Sequence, residues 1–366
     1  MMKVTFRRRG SRIGAFKFTC IRAAVIVIAL SVTSVGAAGA AGTERAADTQ
    51  QTTNLTAGYI PAVTGAGVAA IGEKFGWFKE AGLNIKWVPF TSGPAQAAAM
   101  AGGSLDIEYL GGPAIWTTAK GIGKIISLDE ISNRGEVVIL ARPDSGIKKV
   151  SDLRGQQIGY SLNGASHMLL YQSLTAAGMT FKDVKAVPMD PPTAVSAFLG
   201  GSVPAVSVFY PFAGTIIEKA PNTVIIGSLS NFANSPLPGV LAASDNLINT
   251  NPNAVKRFVS VAVRAIAYRA AHRNQTVNIV ARFGKVPRGP LYQQYDLITW
   301  LTPKQMLAAN KSGAMAQWVR RMEEIQVAMG TLDSVKPPES FMRLGFVNNA
   351  LRAYVASHPE TKKKKK

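Results

Sequence analysis

Small and hydroxylated residues follow three predicted strands in the first half of the chain. The strands end at "TAGYI", "WVPF" and "IEYL". Glycine lets backbone N–H groups approach a ligand closely, and hydroxyl groups add neutral hydrogen-bond donors. Donors of this kind suit a weakly hydrated anion, so these loops are predicted to bind one. The predicted contacts are Pro61, Thr64, Gly65, Thr91, Ser92, Gly93, Gly111, Gly112 and Pro113.

The stretch "GYSLNGASHMLL" at 159–170 places one of the chain's three histidines in a fourth loop of this kind. Ser161 and Asn163 are predicted to cap the helix whose apolar pattern begins at Met168. A helix start presents unpaired N–H groups and the positive end of the peptide dipole, both of which favour an anion. His167 is therefore a predicted ligand contact, and a histidine that only orders its own loop is the alternative interpretation.

Aromatic and acidic residues extend the candidate site. Tyr109, Trp116 and Tyr210 could form a wall for an organic substituent, although aromatic residues at such positions also form cores. Asp190, in "DPP" at 190–192, follows the second strand of the second half. Asp190 and Tyr210 are therefore added to the predicted ligand contacts.

The chain contains an internal repeat with an offset of 98 residues between "AGGSLDIEYLGGPA" at 101–114 and "LGGSVPAVSVFYPF" at 199–212. In each half a strand, a Gly-rich loop, a helix, a second strand, a short helix and a third strand follow in the same order. Strands that alternate with helices indicate parallel βαβ units with helices on the sheet faces. Open sheets of this kind bind ligands at the carboxyl ends of their strands. The sequence therefore predicts two lobes that face each other across a cleft.

The N-terminal residues are typical of an export signal. A basic stretch without acidic residues precedes the apolar run "AAVIVIALSVTSVGAAGAAG", which ends in small residues. An uncleaved membrane anchor is the alternative, and the only cysteine, Cys20, precedes the apolar run. The predicted segments are the signal (1–42), the first part of lobe 1 (54–138), lobe 2 (139–239), the return to lobe 1 with C-terminal helices (240–355) and a basic tail (356–366).

The basic charge of the chain is concentrated at its ends. The formal net charge is +20, residues 1–42 carry seven basic and no acidic residues, and Lys362–Lys366 adds five more charges. The remaining body therefore carries +8, and no nucleic-acid motif accompanies it. A nucleic-acid partner is not predicted, and the lysine run is interpreted as a solvated end or a weak attraction to anionic membrane.

Enzyme motifs are weak or missing in the sequence. "GAGVAA" at 65–70 loosely fits a dinucleotide-binding loop, but "FTS" at 90–92 stands where that motif needs an acidic residue. The serine-nucleophile motif G-x-S-x-G, the zinc motif H-E-x-x-H and Cys/His clusters with metal spacing do not occur in the sequence. The sequence predicts a binding protein without enzymatic activity, cofactor or metal.

Four stretches in order along the chain resemble one protein family: "GEKFGWFKEAGLNIKWVPF" (72–90), "AAAMAGGSLDIEYLGGPA" (97–114), "SGIKKVSDLRGQQIGY" (145–160) and "NPNAVKRFV" (251–259). They are similar to type II periplasmic solute-binding proteins of the branch that serves ABC importers for nitrate, taurine and aliphatic sulfonates. The resemblance implies an α/β fold of two lobes, each a mainly parallel sheet flanked by helices, joined by a two-stranded hinge. It also implies a periplasmic monomer that binds a small anion between the lobes and delivers it to an ABC permease.

The same resemblance implies a role for the loop "GASHMLL". Gly164, Ser166 and His167 match the positions of the family motif that helps to hold the anionic head of the ligand. A thiamine-type pyrimidine or an aromatic carboxylate stays open as the ligand. A sensor module that uses the same cleft but partners a signalling receptor is the alternative from another functional class.

Overall fold

The computed structural model describes residues 52–232 and 237–359 of the chain. The predicted export signal and the lysine run at 362–366 lie outside these residues. None of the helices in the described part is long and apolar enough to cross a membrane.

The strands of the described part form two separate sheets. In chain order they are β1 (Thr53–Tyr59), β2 (Leu83–Pro89), β3 (Ile107–Leu110), β4 (Lys124–Ser132), β5 (Val137–Ala141), β6 (Gln157–Tyr160), β7 (Lys185–Pro188), β8 (Ala205–Phe209), β9 (Val224–Ser228), β10 (Leu237–Ala243) and β11 (Ile298–Thr299). The first sheet has the order β11-β4-β10-β3-β1-β2, and the second has the order β7-β6-β8-β5-β9.

The two sheets share one core arrangement. β1 lies between β2 and β3 and is parallel to both, and β6 lies between β7 and β8 in the same way. Antiparallel strands extend each sheet beyond this core: β10, β4 and β11 in the first, β5 and β9 in the second. The predicted α/β fold of two lobes, with sheets that are parallel at the core, is confirmed.

Helices cover both sheets. In chain order they are α1 (Gly67–Lys74), α2 (Trp77–Glu80), α3 (Gly93–Ala101), α4 (Trp116–Ala119), α5 (Ala165–Ala176), α6 (Pro191–Leu199), α7 (Phe212–Lys219), α8 (Asp245–Thr250), α9 (Pro252–Ala271), α10 (Arg273–Gly284), α11 (Arg288–Asp296), α12 (Pro303–Lys311), α13 (Ala314–Ala328), α14 (Pro338–Phe341) and α15 (Gly345–Ser357). Short 3₁₀ helices occupy Gly112–Ile115, Pro143–Ser145, Val150–Leu153, Phe181–Asp183 and Leu229–Phe232.

The chain passes between the sheets twice. Residues 133–136 connect β4 of the first sheet to β5 of the second, and the chain returns from β9, which ends at Ser228, to β10 of the first sheet, which begins at Leu237. The stretch "EVVILARPDSGIKKVSDLRG" at 136–155 predicts an extended strand that leaves the first lobe. Its start supplies β5, which belongs to the second sheet, and two 3₁₀ helices follow within the stretch. The stretch "PGVLAASDNLI" at 238–248 predicts a return strand. Its first half lies in β10 (Leu237–Ala243), whereas its second half begins a helix (Asp245–Thr250).

The long helix α9 shows how the sequence builds the first lobe. Asn251 accepts a hydrogen bond from the backbone N–H of Ala254 through its side chain at 3.0 Å, which caps the helix as the Asn-Pro pair predicts. The spacing of apolar residues in "NPNAVKRFVSVAVRAIAYRAAHRN" predicts one apolar helix face, and this face is buried in the same core as β1, β3 and β10. Its residues are Val255, Phe258, Val259, Ala262 and Ile266. Burial of this face holds the C-terminal helices on the first lobe.

The prediction that Ser161 and Asn163 cap α5 is wrong. The helix begins one residue after Gly164, and no side chain caps it. Asn163 adopts a φ of 59°, in the left-handed region that asparagine tolerates, so the chain turns before the helix starts. The backbone N–H of Ser161 instead donates to the Ser166 hydroxyl at 2.9 Å.

Candidate functional site

A cavity lies between the two lobes, where loops from both sheets meet. The centres of water-sized molecules can occupy about 60 Å³ of it, within about 610 Å³ of space that includes open solvent. Loops after β1, β2 and β3 form its first-lobe wall, and the loop after β6 contributes from the second lobe. Open α/β sheets bind ligands at this edge, so the cavity is the candidate site.

Half of the predicted contacts line this cavity. Three successive first-lobe loops and the loop that starts α5 supply them. They are Thr64, Ser92, Gly93, Gly111, Gly112, Pro113, Ser161 and Gly164.

Other predicted contacts lie outside the wall of this cavity. Pro61 and Thr91 line a separate apolar groove that also crosses from the first lobe to the second. Gly65 packs against Ile60, where a Cβ at position 65 would come within 2.8 Å of the Ile60 Cβ. Asp190 caps α6 by accepting a hydrogen bond from the backbone N–H of Thr193 at 3.2 Å. These four residues have structural contacts, and their role towards a ligand stays a prediction.

The remaining predicted contacts are held inside the second lobe or at its border. Tyr210 accepts a hydrogen bond through its backbone oxygen from Gln294 at 2.8 Å. The Ser166 hydroxyl is engaged with the backbone of Ser161. The backbone oxygen of Asn163 accepts a hydrogen bond from the Trp116 indole at 3.2 Å, which links the two lobes at the rim of the cavity.

His167 follows Gly164 and Ala165 of the cavity wall but does not itself line the cavity. Its ring contacts Tyr160 and Phe181, with centroids 5.2 Å away in each case. Its Nδ1 accepts a hydrogen bond from the backbone N–H of Asn163 at 3.3 Å, which fixes the loop between Ser161 and Gly164. Burial lowers the pKa of His167 to about 4, so the ring is neutral at neutral pH. The structure places this residue where it supports the loop, and direct contact with a ligand stays a prediction.

We expect the His167 imidazole to titrate with a midpoint of about 4, far below the ordinary value of about 6.5. Burial between two aromatic rings disfavours the charged form. NMR of the imidazole resonances as a function of pH measures this, and His167→Gln identifies the signal by its loss. A midpoint of about 6.5 would show that the ring is exposed to solvent and would contradict its burial against Tyr160 and Phe181.

Two helices begin at the cavity without a side-chain cap. Ser92 and Gly93 lead into α3, and Gly164 and Ala165 lead into α5. The backbone N–H groups of a first helical turn have no partner inside the helix. Together with the positive end of the helix dipole, they favour a negatively charged group. The starts of α3 and α5 therefore make this part of the cavity wall favourable for an anion.

Another part of the wall is acidic, and sequence reasoning missed it. Glu130 on β4 and Glu136 in the first crossing both line the cavity. The hydroxyl of Tyr109 donates to Glu130 Oε1 at 2.6 Å, and the amide of Gln294 donates to Glu136 Oε1 at 2.7 Å. Burial raises the pKa of Glu130 well above its ordinary value, the charge of Asp129 adds to this, and burial also raises the pKa of Glu136.

A bulge in β4 explains why Asp129 and Glu130, which are adjacent in sequence, are both buried. Glu130 pairs with Gly239, whereas the next pair is Leu128 with Val240, so Asp129 is the extra residue. A bulge redirects a side chain relative to the strand alternation. The sequence does contain a signal for these two residues. The acidic pair lies inside the apolar run "IISLDEIS" at 125–132, which predicts a buried strand, and a solvated loop therefore does not explain the two charges.

Arg269 on α9 neutralises Asp129 and holds the first cavity loop. Its guanidinium donates to the two carboxylate oxygens of Asp129 at 3.0 and 2.8 Å, and both side chains are 1% exposed. It also donates to the backbone oxygens of Val63 and Thr64 at 3.3 and 3.2 Å. One buried arginine therefore connects a charge pair to the loop after β1.

Gln294 on α11 joins both lobes next to the cavity. Its side-chain oxygen accepts from the backbone N–H of Val63 at 2.8 Å, and its side-chain nitrogen donates to Glu136 and to the backbone oxygen of Tyr210. Because these partners lie in the first lobe, the crossing segment and the second lobe, Gln294 fixes their relative positions. In the described part of the chain, no lysine, arginine or histidine lines the cavity, and no cluster of side chains suits a metal ion.

The chain is similar in sequence to proteins that carry the names of binding proteins. A protein of Brucella abortus (strain 2308) that carries the name of a binding protein is 33% identical over 285 residues, which cover 78% of this chain and 88% of that protein. The taurine-binding periplasmic protein of Escherichia coli (strain K12) is 26% identical over 267 residues, which cover 70% of this chain and 81% of that protein.

A solved structure has the same fold. The alkanesulfonate-binding protein of Xanthomonas axonopodis pv. citri bound to MOPS matches with a TM-score of 0.65 at 17% identity, over 80% of this chain and 99% of that one. The family model described as NMT1/THI5 like matches residues 65–276, which is more than half of the chain. The chain therefore belongs to the NMT1/THI5-like family.

Proposed function

We propose that the protein is an exported solute-binding receptor of an ABC importer that captures a small organic sulfonate or a similar anion between its lobes. The observation that carries this is the cavity between two lobes at which the uncapped starts of α3 and α5 meet. The relatives named for binding and for taurine support a binding role over a catalytic one. A location in the periplasm agrees with the name of the second relative.

The anion is held by neutral donors in this proposal. Backbone N–H groups at the two helix starts, with the hydroxyls of Ser92, Thr64 and Ser161 in the same wall, supply the hydrogen bonds. Neutral donors suit sulfonate, whose charge is spread over three oxygens. Closure of the lobes assembles the site, because the donors come from both lobes and only the closed form presents all of them.

A thermal-shift panel tests the proposal with taurine, ethanesulfonate, nitrate and a thiamine-type aminopyrimidine as probes. A solute that binds only the folded protein raises its melting temperature. We expect a rise with a sulfonate. A rise with the aminopyrimidine alone would replace the anion by a heteroaromatic ligand, and no rise with any probe would contradict the proposal.

We expect Gly111→Leu to weaken sulfonate binding by about tenfold or more while the protein stays folded. Gly111 lines the cavity, and a Cβ at this position would meet no atom within 4 Å, so the added side chain has open space to enter. Isothermal titration calorimetry with ethanesulfonate measures the effect.

Gly345→Leu is the matched control for this variant. Position 345 also leaves a Cβ without an atom within 4 Å, but it lies exposed at the start of α15 and away from the cavity. Its affinity for ethanesulfonate should equal that of the unmodified protein. Equal affinities for Gly111→Leu and Gly345→Leu would show that the solute binds elsewhere.

A further inference from the structure

Trp116 joins the two lobes beside the cavity. Its indole N–H donates to the backbone oxygen of Asn163 at 3.2 Å. The donor follows β3 of the first sheet, and the acceptor follows β6 of the second. Trp116 is not among the described residues that line the cavity, so the wall for an organic substituent that the sequence suggested for this ring is not where the structure places it.

Both ends of this hydrogen bond continue directly into the cavity wall. Trp116 follows the 3₁₀ helix Gly112–Ile115, which supplies part of the first-lobe wall. Asn163 lies between Ser161 and Gly164, which line the cavity from the second lobe. A solute that contacts both walls therefore holds the same two segments that the hydrogen bond joins.

The acceptor is held in position from within the second lobe. The backbone N–H of Asn163 donates to His167 Nδ1 at 3.3 Å, and the residue adopts a φ of 59°. The hydroxyl of Ser166 donates to the backbone oxygen of Ser161 at 3.2 Å. The loop thus presents the Asn163 carbonyl in a fixed direction, so little conformational entropy is lost when Trp116 binds it.

The position of this hydrogen bond makes it sensitive to movement of the lobes. In the second sheet, β8 separates β6 from β5, and β5 continues the first crossing. Neighbouring strands lie about 4.8 Å apart, so the loop after β6 starts about 10 Å from β5. Gln294, in contrast, donates to Glu136 within the crossing itself. A rotation of the lobes about the crossings therefore displaces Asn163 more than it displaces the partners of Gln294.

The helix α13 also joins the lobes, on the outside of the molecule. The hydroxyl of Tyr171 donates to the backbone oxygen of Ala328 at 3.1 Å, and Met322 and Ile325 pack into the core of the second lobe. None of these four residues is among the described residues that line the cavity. They stabilise the arrangement of the lobes without contacting the wall, whereas the partners of the Trp116 hydrogen bond are continuous with it.

We propose that Trp116 and Asn163 form a latch, whose hydrogen bond holds the loops after β3 and β6 together and stabilises a bound solute by keeping both walls in contact with it. The coupling to a solute rests on the proposed function. Trp116 is a positioning residue here, because it contacts the opposite loop and not the solute. By linkage, the solute and the latch stabilise each other to the same extent.

Two tryptophan variants isolate the latch. Trp116→Phe removes the indole N–H and keeps an aromatic ring. Trp300→Phe is the matched control, because the Trp300 indole also donates to a backbone oxygen, that of Tyr295 at 3.0 Å, and both residues belong to one cluster of the first lobe. Thermal unfolding followed by circular dichroism shows that both variants fold.

Hydrogen exchange measured by mass spectrometry tests the latch without any solute. In Trp116→Phe we expect the amides of residues 159–165 to exchange about threefold or more faster than in the unmodified protein, because this loop loses its contact with the other lobe. Trp300→Phe should leave the rate unchanged. An unchanged rate in Trp116→Phe, or the same increase in both variants, would overturn the latch.

Calorimetric titration with ethanesulfonate tests the coupling of the latch to the cavity. Trp116→Phe should bind about three- to tenfold more weakly than the unmodified protein, as expected for the loss of one hydrogen bond, and Trp300→Phe should keep the affinity. Faster exchange in Trp116→Phe with an unchanged affinity would overturn the coupling. Absence of binding to the unmodified protein would instead overturn the proposed function, and the exchange experiment would still decide whether the latch exists.

Discussion

We expect Arg269→Met to lower the free energy of unfolding by about 3–5 kcal/mol, because it leaves the carboxylate of Asp129 buried without its partner. The two side chains are 1% exposed and joined by two hydrogen bonds. Methionine fills much of the volume of arginine. The loss in the free energy of unfolding therefore comes more from the unpaired charge of Asp129 than from a cavity. Urea unfolding followed by circular dichroism measures the difference.

Arg264→Met is the control on the same helix. Arg264 pairs with Glu80 at 3.1 Å, but its side chain is 41% exposed, so its removal should cost less than about 1 kcal/mol. The double variant Arg269→Met with Asp129→Asn removes both charges and should recover part of the lost stability. Similar losses for Arg269→Met and Arg264→Met would show that the buried pair is not the source of the effect.

Glu108 makes the stability of the protein depend on pH. Both of its carboxylate oxygens lack hydrogen-bond partners among the described residues, and burial raises the pKa of Glu108 to about 8 from an ordinary value of 4.5. The folded state therefore holds the proton over a pH range in which the unfolded chain has lost it. The contribution of Glu108 to the free energy of unfolding is fully present below about pH 4.5 and decreases as the pH rises to about 8.

We compare the free energy of unfolding of Glu108→Gln with that of the unmodified protein. We expect the difference in favour of the variant to grow by about 4–5 kcal/mol as the pH rises from 4.5 to 8, and to stay constant above that pH. Glutamine cannot ionise, so the difference between the two proteins isolates the titration of this one carboxyl. Urea unfolding at pH 4.5, 6.5 and 8.5 measures it. A difference that does not change with pH would show that Glu108 is ionised in the folded protein.

The order of the elements was accessible from sequence because it depends on local patterns. The repeat around Gly102–Ser104 and Gly200–Ser202, and the apolar face of α9, correspond to features that the structure contains. The sequence also predicted that the loops after β1, β2, β3 and β6 face the ligand site. This was possible because the direction of a strand fixes the edge of the sheet at which the following loop lies.

The side chains that line and support the cavity wall could not be predicted from local sequence patterns. Glu130 reaches the cavity through a bulge at Asp129, and a bulge changes the alternation from which a strand face is read. Gln294 comes from a helix more than 150 residues away from Glu136, so no local spacing connects them. His167 matches a loop motif, yet which side of the loop its ring occupies depends on Tyr160 and Phe181, which pack around it.

A crystal structure of the protein grown with taurine shows directly where the anionic group of a solute is held. We expect the sulfonate at the starts of α3 and α5, within hydrogen-bond distance of their backbone N–H groups. Taurine found outside the cavity between the lobes, or a sulfonate lying against Glu130, would contradict it.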